Sequence, residues 1–271
     1  MAVDYAKKYS GVVDEKFKEV AKSDVVVNDD FDFVGAKTVS VQTVSTATLN
    51  DYKRTGDNRY GEIEDLDVTS QEMTMSQDKS FTFAIDKMDS EESRALQSGT
   101  ALARQLREVV VPEVDKYRFN KIATGAGTTK TEALTKANIY EAITEATEKL
   151  DDEEVPVEGR QLIVTPATYK LMKQCDDIEM DTEVGQDMRI KGIIANLDGM
   201  NIIKVPSNRL PANTGFIVTH AMACCSPVKL AEYKVHTDAP GISGELVEGR
   251  VYYDAFVLDN KKKAIYLHKN A

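Results

Sequence analysis

Apolar and polar residues change rhythm several times along the chain, and each rhythm predicts a different element. Over 1–28 charged residues mix with scattered apolar ones, and Val12, Val13, Phe17 and Val20 fall roughly at helical spacing. That predicts a short amphipathic helix at the base of an N-terminal arm, too small to bury much without a neighbouring element or subunit. From 31 to 49 the rhythm shortens. Val39 and Val41 alternate with Thr38, Ser40 and Gln42, and β-branched residues dominate, which predicts a strand. A second alternating tract runs through Leu66, Val68, Met73, Met75, Phe81, Phe83 and Ile85. Between the two lies the polar stretch 50–67, where Lys53, Arg54 and Arg59 are set among Asp51, Asp57, Glu62, Glu64 and Asp65. Its middle, Thr55-Gly56-Asp57-Asn58, is turn chemistry. The predicted layout is two strands extending into a long, charged hairpin. A two-stranded ribbon with few apolar residues is marginal by itself in water. Either a partner subunit holds it through complementary charge, or it is an ordinary loose surface loop.

The helical rhythm is strongest over 90–123. Leu96, Leu102, Ala103, Leu106, Val110, Val114 and Tyr117 recur at three- or four-residue steps, with Arg94, Arg104, Arg107, Lys116 and Arg118 mostly between them. Asp89 with Glu92, or Ser90, provides the N-cap. Such a helix is roughly 50 Å long. Pro112 lies inside it, removes a backbone hydrogen bond, and is expected to bend or split it. Gly125-Ala126-Gly127 ends it. Beyond, the pattern is α/β. Thr135 can cap a helix carrying Ile139, Ala142, Ile143, Ala146 and Leu150, and the acidic run 151–154 reads as a solvated loop. Residues 161–164 form a short buried strand, and Thr165-Pro166 starts a helix with Tyr169, Leu171 and Met172. The polar stretch 176–189 reads as a mobile loop. Strands are expected at 200–205, 215–219, 228–236, 248–259 and 264–268, with a loop over 238–244 and a turn at 259–261.

The 271 residues carry a formal net charge of −11, which argues against tight, sequence-independent nucleic-acid binding and leaves loose enclosure of DNA open. No stretch approaches the roughly 20 apolar residues of a membrane span, and residues 1–10 lack the apolar core of a signal peptide. The expectation is a cytoplasmic product with no membrane partner. Cys175, Cys224 and Cys225 form no disulfide framework, and the adjacent pair reads as two small residues near a strand end. Gly125 to Lys130 only superficially suggests a phosphate loop: the spacing is wrong and a helix precedes it, so it reads as a flexible linker. His220, His236 and His268 stand far apart, without a carboxylate or Cys at recognisable spacing. Catalytic motifs are absent, as is Trp, so no catalytic residue, cofactor or metal site is expected.

The order of segments, arm, extended hairpin, long helix, compact α/β unit and returning strands, resembles the Hong Kong 97 fold of tailed-phage major capsid proteins. The strings that carry the likeness are Phe81-Thr82-Phe83-Ala84-Ile85-Asp86-Lys87, Val110-Val111-Pro112-Glu113-Val114-Asp115-Lys116-Tyr117, Val155-Pro156, Gly159-Arg160, and Leu162-Ile163-Val164-Thr165-Pro166-Ala167-Thr168-Tyr169. They are similar to capsid proteins of phages of Gram-positive bacteria, over most of the chain from about residue 25. The resemblance implies an α+β fold with an arm over 1–37 and an extended loop within 38–85, its tip at about 50–67. A spine helix and linker follow over 86–134, an axial domain over 135–227, and returning strands of the peripheral domain over 228–271. It implies a shell subunit forming pentamers and hexamers around phage DNA, without enzymatic activity or sequence-specific binding. The loop, with Lys53, Arg54, Asp57, Arg59, Glu62 and Glu64, would lie across a neighbour, and Arg104 and Arg107 would make spine-helix contacts. With no room for a scaffolding segment before the arm, a separate scaffolding protein and a portal are implied partners. Assembly in the host cytoplasm and residence in the virion capsid follow. The rivals are an encapsulin-type nanocompartment shell and a soluble α/β enzyme.

Overall fold

The computed structural model describes residues 21–31, 33, 37–88, 98–175, 178, 193–237 and 239–271. The arm helix expected around Val12 to Val20, the cap at Asp89 or Ser90, and all of the 176–189 loop but Ile178 lie outside the described residues. The strands are β1 (Thr38–Val44), β2 (Val68–Thr74), β3 (Gln77–Asp86), β4 (Thr128–Thr131), β5 (Arg160–Val164), β6 (Ile193–Leu197), β7 (Met200–Lys204), β8 (Thr214–His220), β9 (Cys224–Cys225), β10 (Val228–His236), β11 (Gly244–Tyr253), β12 (Phe256–Val257) and β13 (Ile265–Lys269). The helices are α1 (Ser98–Gln105), α2 (Val111–Thr124), α3 (Ile139–Asp152) and α4 (Pro166–Gln174).

The expected ribbon is present as β1 and β2, antiparallel from Thr38↔Thr74 to Val44↔Val68. The second alternating tract is not one strand, however. The chain breaks at Met75-Ser76, and β3 enters a different sheet of order β10-β11-β3. One sheet cannot accommodate both halves, because Met73 and Met75 are buried beside Phe33 and Leu258 while Phe81 and Phe83 pack against the long helix. That helix covers the three-stranded sheet with Leu102, Leu106 and Val114 against Tyr233, Val247, Val251 and Tyr253.

Pro112 neither ends the helix nor separates it into two. Residues Leu106–Val110 form a wide π turn, with helical backbone angles at Gln105 and Val111 on either side, and the Val111 N–H donates to Leu106 O, five residues back. Proline has no N–H to return, so the ladder is redrawn around the gap. Gly125 then stops α2, as expected. The linker expected from Gly125 to Lys130 is instead built in: Gly127 N donates to Lys262 O at 3.0 Å, and residues 128–131 are strand β4. A Cβ at Gly127 would lie 2.6 Å from the Lys262 carbonyl oxygen, so the approach needs glycine.

The larger core lies around a six-stranded sheet of order β4-β13-β8-β5-β7-β6. All five residues of β5 are buried, as its short apolar run predicts for an interior strand. Ile139, Ala142, Ile143, Ala146 and Leu150 of α3 join this core, as do Phe119 and Ile122 of α2. The terminal strand β13, expected beside the spine-helix unit, lies within this sheet between β4 and β8. Its residues Ile265, Tyr266, Leu267 and His268 are all buried, a run that needs cover on both faces. Strand β6 was not foreseen, and β11 begins at Gly244, four residues earlier than expected. There a Cβ would meet Ile85 O at 2.0 Å. The turn expected at 259–261 is a 3-10 segment, Asp259–Ala264.

Two helix starts separate expectation from outcome. Thr165 caps α4, accepting from Thr168 N at 3.1 Å. Thr135 does not cap α3: the N-cap is Asn138, whose Oδ1 receives Thr135 N at 2.7 Å and Thr135 Oγ1 at 3.0 Å. The run 151–154 is no simple solvated loop either. Asp151 and Asp152 finish α3, Asp151 pairs with the buried Arg160 at 2.7 Å, and Glu153 pairs with Lys263 at 2.5 Å. Replacing Ile143 by Ala should cost about 2–5 kcal/mol, from lost transfer and the cavity left in the larger core. Thr165→Ala should cost about 1 kcal/mol through the lost cap. Denaturant unfolding of the unassembled subunit measures both.

Candidate functional site

Two regions carry the chemistry of contact, the ribbon and the polar lattice at its root. Beyond Val44 and Val68 the chain over 45–67 has no strand pairing, only a sparse set of local bonds. Ser45 N donates to Asp67 O at 2.9 Å and Thr48 N to Glu64 Oε2 at 3.1 Å. At the tip Lys53 N donates to Arg59 O and Gly61 N to Asn58 O, both at 3.0 Å, and Arg59 Nε donates to Gly56 O at 3.2 Å. The expected turn is confirmed by the left-handed backbone of Gly56 and Asn58. Thr48 also holds the Glu64 carboxyl below its usual range through these hydrogen bonds.

Lys53, Arg54, Asp57, Arg59, Glu62 and Glu64 are all exposed, and among the described residues none of the six forms an ion pair. Lys53, Arg54, Asp57 and Arg59 lie at the tip, and Glu62 and Glu64 follow on the returning limb, where Glu64 is bonded to Thr48. Arg104 and Arg107 lie elsewhere, on the outer side of the long helix, and both are engaged by Glu108, at 3.0 and 3.3 Å. These hydrogen bonds hold the Glu108 carboxyl below its usual range. Exposed pairs of this kind contribute little to stability.

Charge dominates this stretch in the sequence, yet in the structure it also exposes a set of large apolar side chains. Ile63 is 95% exposed and Tyr60 84%, Leu49 is fully exposed, and Tyr52, Leu66, Val44 and Val68 are exposed as well. Tyr52 and Tyr60 touch edge to face, 5.0 Å between centroids, and both remain exposed. The signal was present as isolated large residues between charges, too sparse to register as periodicity.

The lattice at the root was also missed. Arg118, placed among polar positions by spacing, is buried, as is Asp115 one turn earlier. Asp115 accepts from Lys22 N at 3.1 Å, Ser23 N at 3.2 Å, Ser23 Oγ at 2.6 Å and Arg209 Nη1 at 2.8 Å. Arg118 donates to Ser226 Oγ at 2.7 Å and Ser23 Oγ at 3.0 Å, and it pairs with Asp24. Burial raises the Asp24 carboxyl above its ordinary value, while Arg118 opposes that rise. Ser226 Oγ donates to Asp254 O at 2.9 Å. The Asp254 carboxylate accepts from Tyr117 OH at 2.7 Å, Ser76 N at 2.7 Å and Ser76 Oγ at 2.8 Å.

The remaining reactive groups are structural. Cys224 and Cys225 are buried in β9, and burial pushes their thiols up to about 12 and about 11, so neither is a ready nucleophile. His220 accepts from Met222 N and lies 2.9 Å from Glu158 O. His236 does have a carboxylate partner, Glu248 across the β10–β11 pair at 3.2 Å, which linear spacing could not reveal. His268 is fully buried and stacked on Phe216, 4.9 Å between centroids. No grouping able to hold a metal occurs among the described residues, and no described helix is long and apolar enough to cross a membrane.

This arrangement of a long helix over a three-stranded sheet, a six-stranded α/β unit and a projecting ribbon is the Hong Kong 97-type shell fold, found in several solved structures. A protein of Mycobacterium phage Che8 superposes with a TM-score of 0.69 at 18% identity, covering 92% of this chain and 90% of its own. The capsid structure of cyanophage P-SCSP1u gives 0.69 at 15% identity, covering 92% and 87%. A virus-like particle from Pyrococcus furiosus gives 0.57 at 12% identity, covering 98% and 100%. No curated protein sequence matches. Residues 79–266 match the phage capsid protein family, and the chain belongs to that family. It is a structural capsid subunit of a multi-subunit shell in the virion, which favours the phage shell over a nanocompartment and leaves the enzyme reading without support.

Burial holds the His268 ring below the ordinary imidazole value, so the folded subunit binds fewer protons there than the unfolded chain does. Its stability contribution is therefore complete above the unfolded value of 6.5 and is lost as the pH falls below it. Thermal unfolding from about pH 7 to 5 should show a falling Tm, and His268→Phe, which keeps a stacked ring, should flatten that slope.

Proposed function

We propose that the protein is the major capsid protein of a tailed phage, closing into pentamers and hexamers around double-stranded DNA, with the ribbon laid across a neighbouring subunit. The observation that carries this reading is the stretch 44–68, which exposes seven large apolar side chains in a segment without a core of its own. Burying one such side chain contributes about 1.5–3 kcal/mol. A neighbouring copy supplies that burial, and the exposed charges of Lys53, Arg54, Asp57, Arg59, Glu62 and Glu64 then set the register. Arg104 and Arg107 add spine-helix contacts at the shell's subunit boundaries.

Residues 135–227 serve as the axial domain at the centre of each ring, joined there by β4 and β13, and the long helix with β3, β10 and β11 serves as the peripheral domain. Ring contacts are heterologous and must close, and each can be weak because one subunit engages several others. The strongly acidic chain encloses DNA without gripping it. A scaffolding protein and a portal complete the particle, assembled in the host cytoplasm.

Deleting residues 53–59 should leave a soluble subunit that forms no shells under electron microscopy. The milder pair Tyr60→Ser and Ile63→Ser should raise the concentration needed for assembly at least about tenfold, equivalent to about 1.4 kcal/mol. Normal shells from both would refute the proposed role of the ribbon.

A further inference from the structure

The two appendages of this subunit, the N-terminal segment and the ribbon, are rooted in one continuous set of polar bonds, buried from Ser23 to Asp254 and exposed at Ser76. The root of the N-terminal segment is Lys22 to Asn28. Its Ser23 hydroxyl donates to Asp115 at 2.6 Å and accepts from Arg118 at 3.0 Å. The same Arg118 donates to Ser226 Oγ at 2.7 Å, and Ser226 Oγ donates to Asp254 O at 2.9 Å. Ser226 N also donates to Asn28 O at 3.0 Å, so the segment is gripped twice. The Asp254 side chain closes on the ribbon, taking both the N–H and the hydroxyl of Ser76, the residue where β2 gives way to β3. Tyr117, one residue before Arg118 on α2, donates to the same carboxylate at 2.7 Å.

Each hydroxyl in the chain both donates and accepts. Ser23 cannot leave without taking two bonds from Asp115 and one from Arg118, and Arg118 cannot turn without releasing Ser226. Ser23, Asp115 and Ser226 are fully buried and Asp254 and Arg118 nearly so, hence water cannot replace the lost partners cheaply. Besides the two bonds to Asp254, Ser76 Oγ accepts from Gln77 Nε2 at 3.1 Å. The route from one appendage to the other runs through Ser23, Arg118, Ser226, Asp254 and Ser76, with a parallel branch through Tyr117.

We infer that this lattice couples the two appendages, so that docking of the N-terminal segment on its own subunit sets the direction and order of the ribbon root. Equilibrium coupling is reciprocal, and fixing the ribbon must tighten the segment by the same factor. The coupling belongs to the single chain. Its use, in which a neighbour that seizes one appendage prepares the other, rests on the shell reading above.

Hydrogen–deuterium exchange on the full-length chain, held below its assembly concentration, tests the coupling. Ser23→Ala should speed exchange over 68–76 by about threefold or more, as well as over 21–28. Ser76→Ala should act on 21–28 in return, and the two substitutions together should fall short of the product of their separate effects. In a Tyr117→Phe, Ser226→Ala background, which cuts both branches while retaining the Tyr117 ring position, Ser23→Ala should no longer reach 68–76. Effects confined to each substituted root, or strictly multiplicative ones, overturn the inference. A wild-type chain that shows reciprocal exchange but never forms shells under the microscope would leave the coupling standing and sink the shell reading instead.

Discussion

Helix α2 bears three unlike environments on a single turn-by-turn cylinder, and the rest of the subunit is arranged by that fact. Val114 looks into the core beneath the three-stranded sheet, Phe119 and Ile122 into the core of the six-stranded sheet, and Asp115 with Arg118 into the polar lattice between them. Tyr117 touches both apolar cores and turns its hydroxyl to Asp254. A helix shared in this way cannot rotate to improve one contact without losing another. The relative placement of the two sheets is therefore fixed by side-chain spacing on α2, and the π turn before Pro112 joins this stretch to α1 without a break.

The ribbon follows the opposite rule. Its base is well covered, with Met73 and Met75 buried beside Phe33 and Leu258 and Gln71 bonded to Val257 O and Asp259 N. Its outer half has large apolar side chains and charges but almost no internal contacts. Stability within the chain thus falls from root to tip, as expected of a segment that completes its burial on another molecule. A monomer designed for solubility would spread such residues or remove them. Keeping them together with exposed charges suits a contact that must form strongly with one partner geometry and weakly with others.

Much of this was legible in the sequence where local periodicity and local covering agree. The β1–β2 ribbon, the interior strand β5, the Thr165 cap and the long helix all follow from spacing within ten or twenty residues. What failed was decided by distant partners. The break at Met75-Ser76 depends on Phe33, Leu258 and Asp254, none of them near in sequence. The linker at 125–130 became β4 because β13 lies alongside it, from the far end of the chain. Arg118 looked like a surface residue because its spacing fits one, yet Ser23, Asp24 and Ser226 bury it. Charge is dense in the ribbon, and it hides the scattered exposed side chains of Leu49, Tyr60 and Ile63.

The polar lattice is an expensive way to hold a joint together if stability is the only goal. Desolvating Asp115 and Arg118 costs several kcal/mol per ion by general estimates, and apolar residues of similar volume often do as well or better. What apolar contact does not supply is direction. A guanidinium and two carboxylates bonded to hydroxyls accept few orientations, whereas packed methyl groups tolerate sliding and rotation by small steps. A shell subunit must present its appendages at angles that let rings close, since a small angular error repeated around a ring leaves a gap or an open helix. Placing directional bonds where the ribbon and residues 22–28 meet the body puts angular precision at the position with the longest lever arm. On that argument the lattice is retained for geometry, and its worth should be sought in the uniformity of assembled particles more than in the melting of the single subunit.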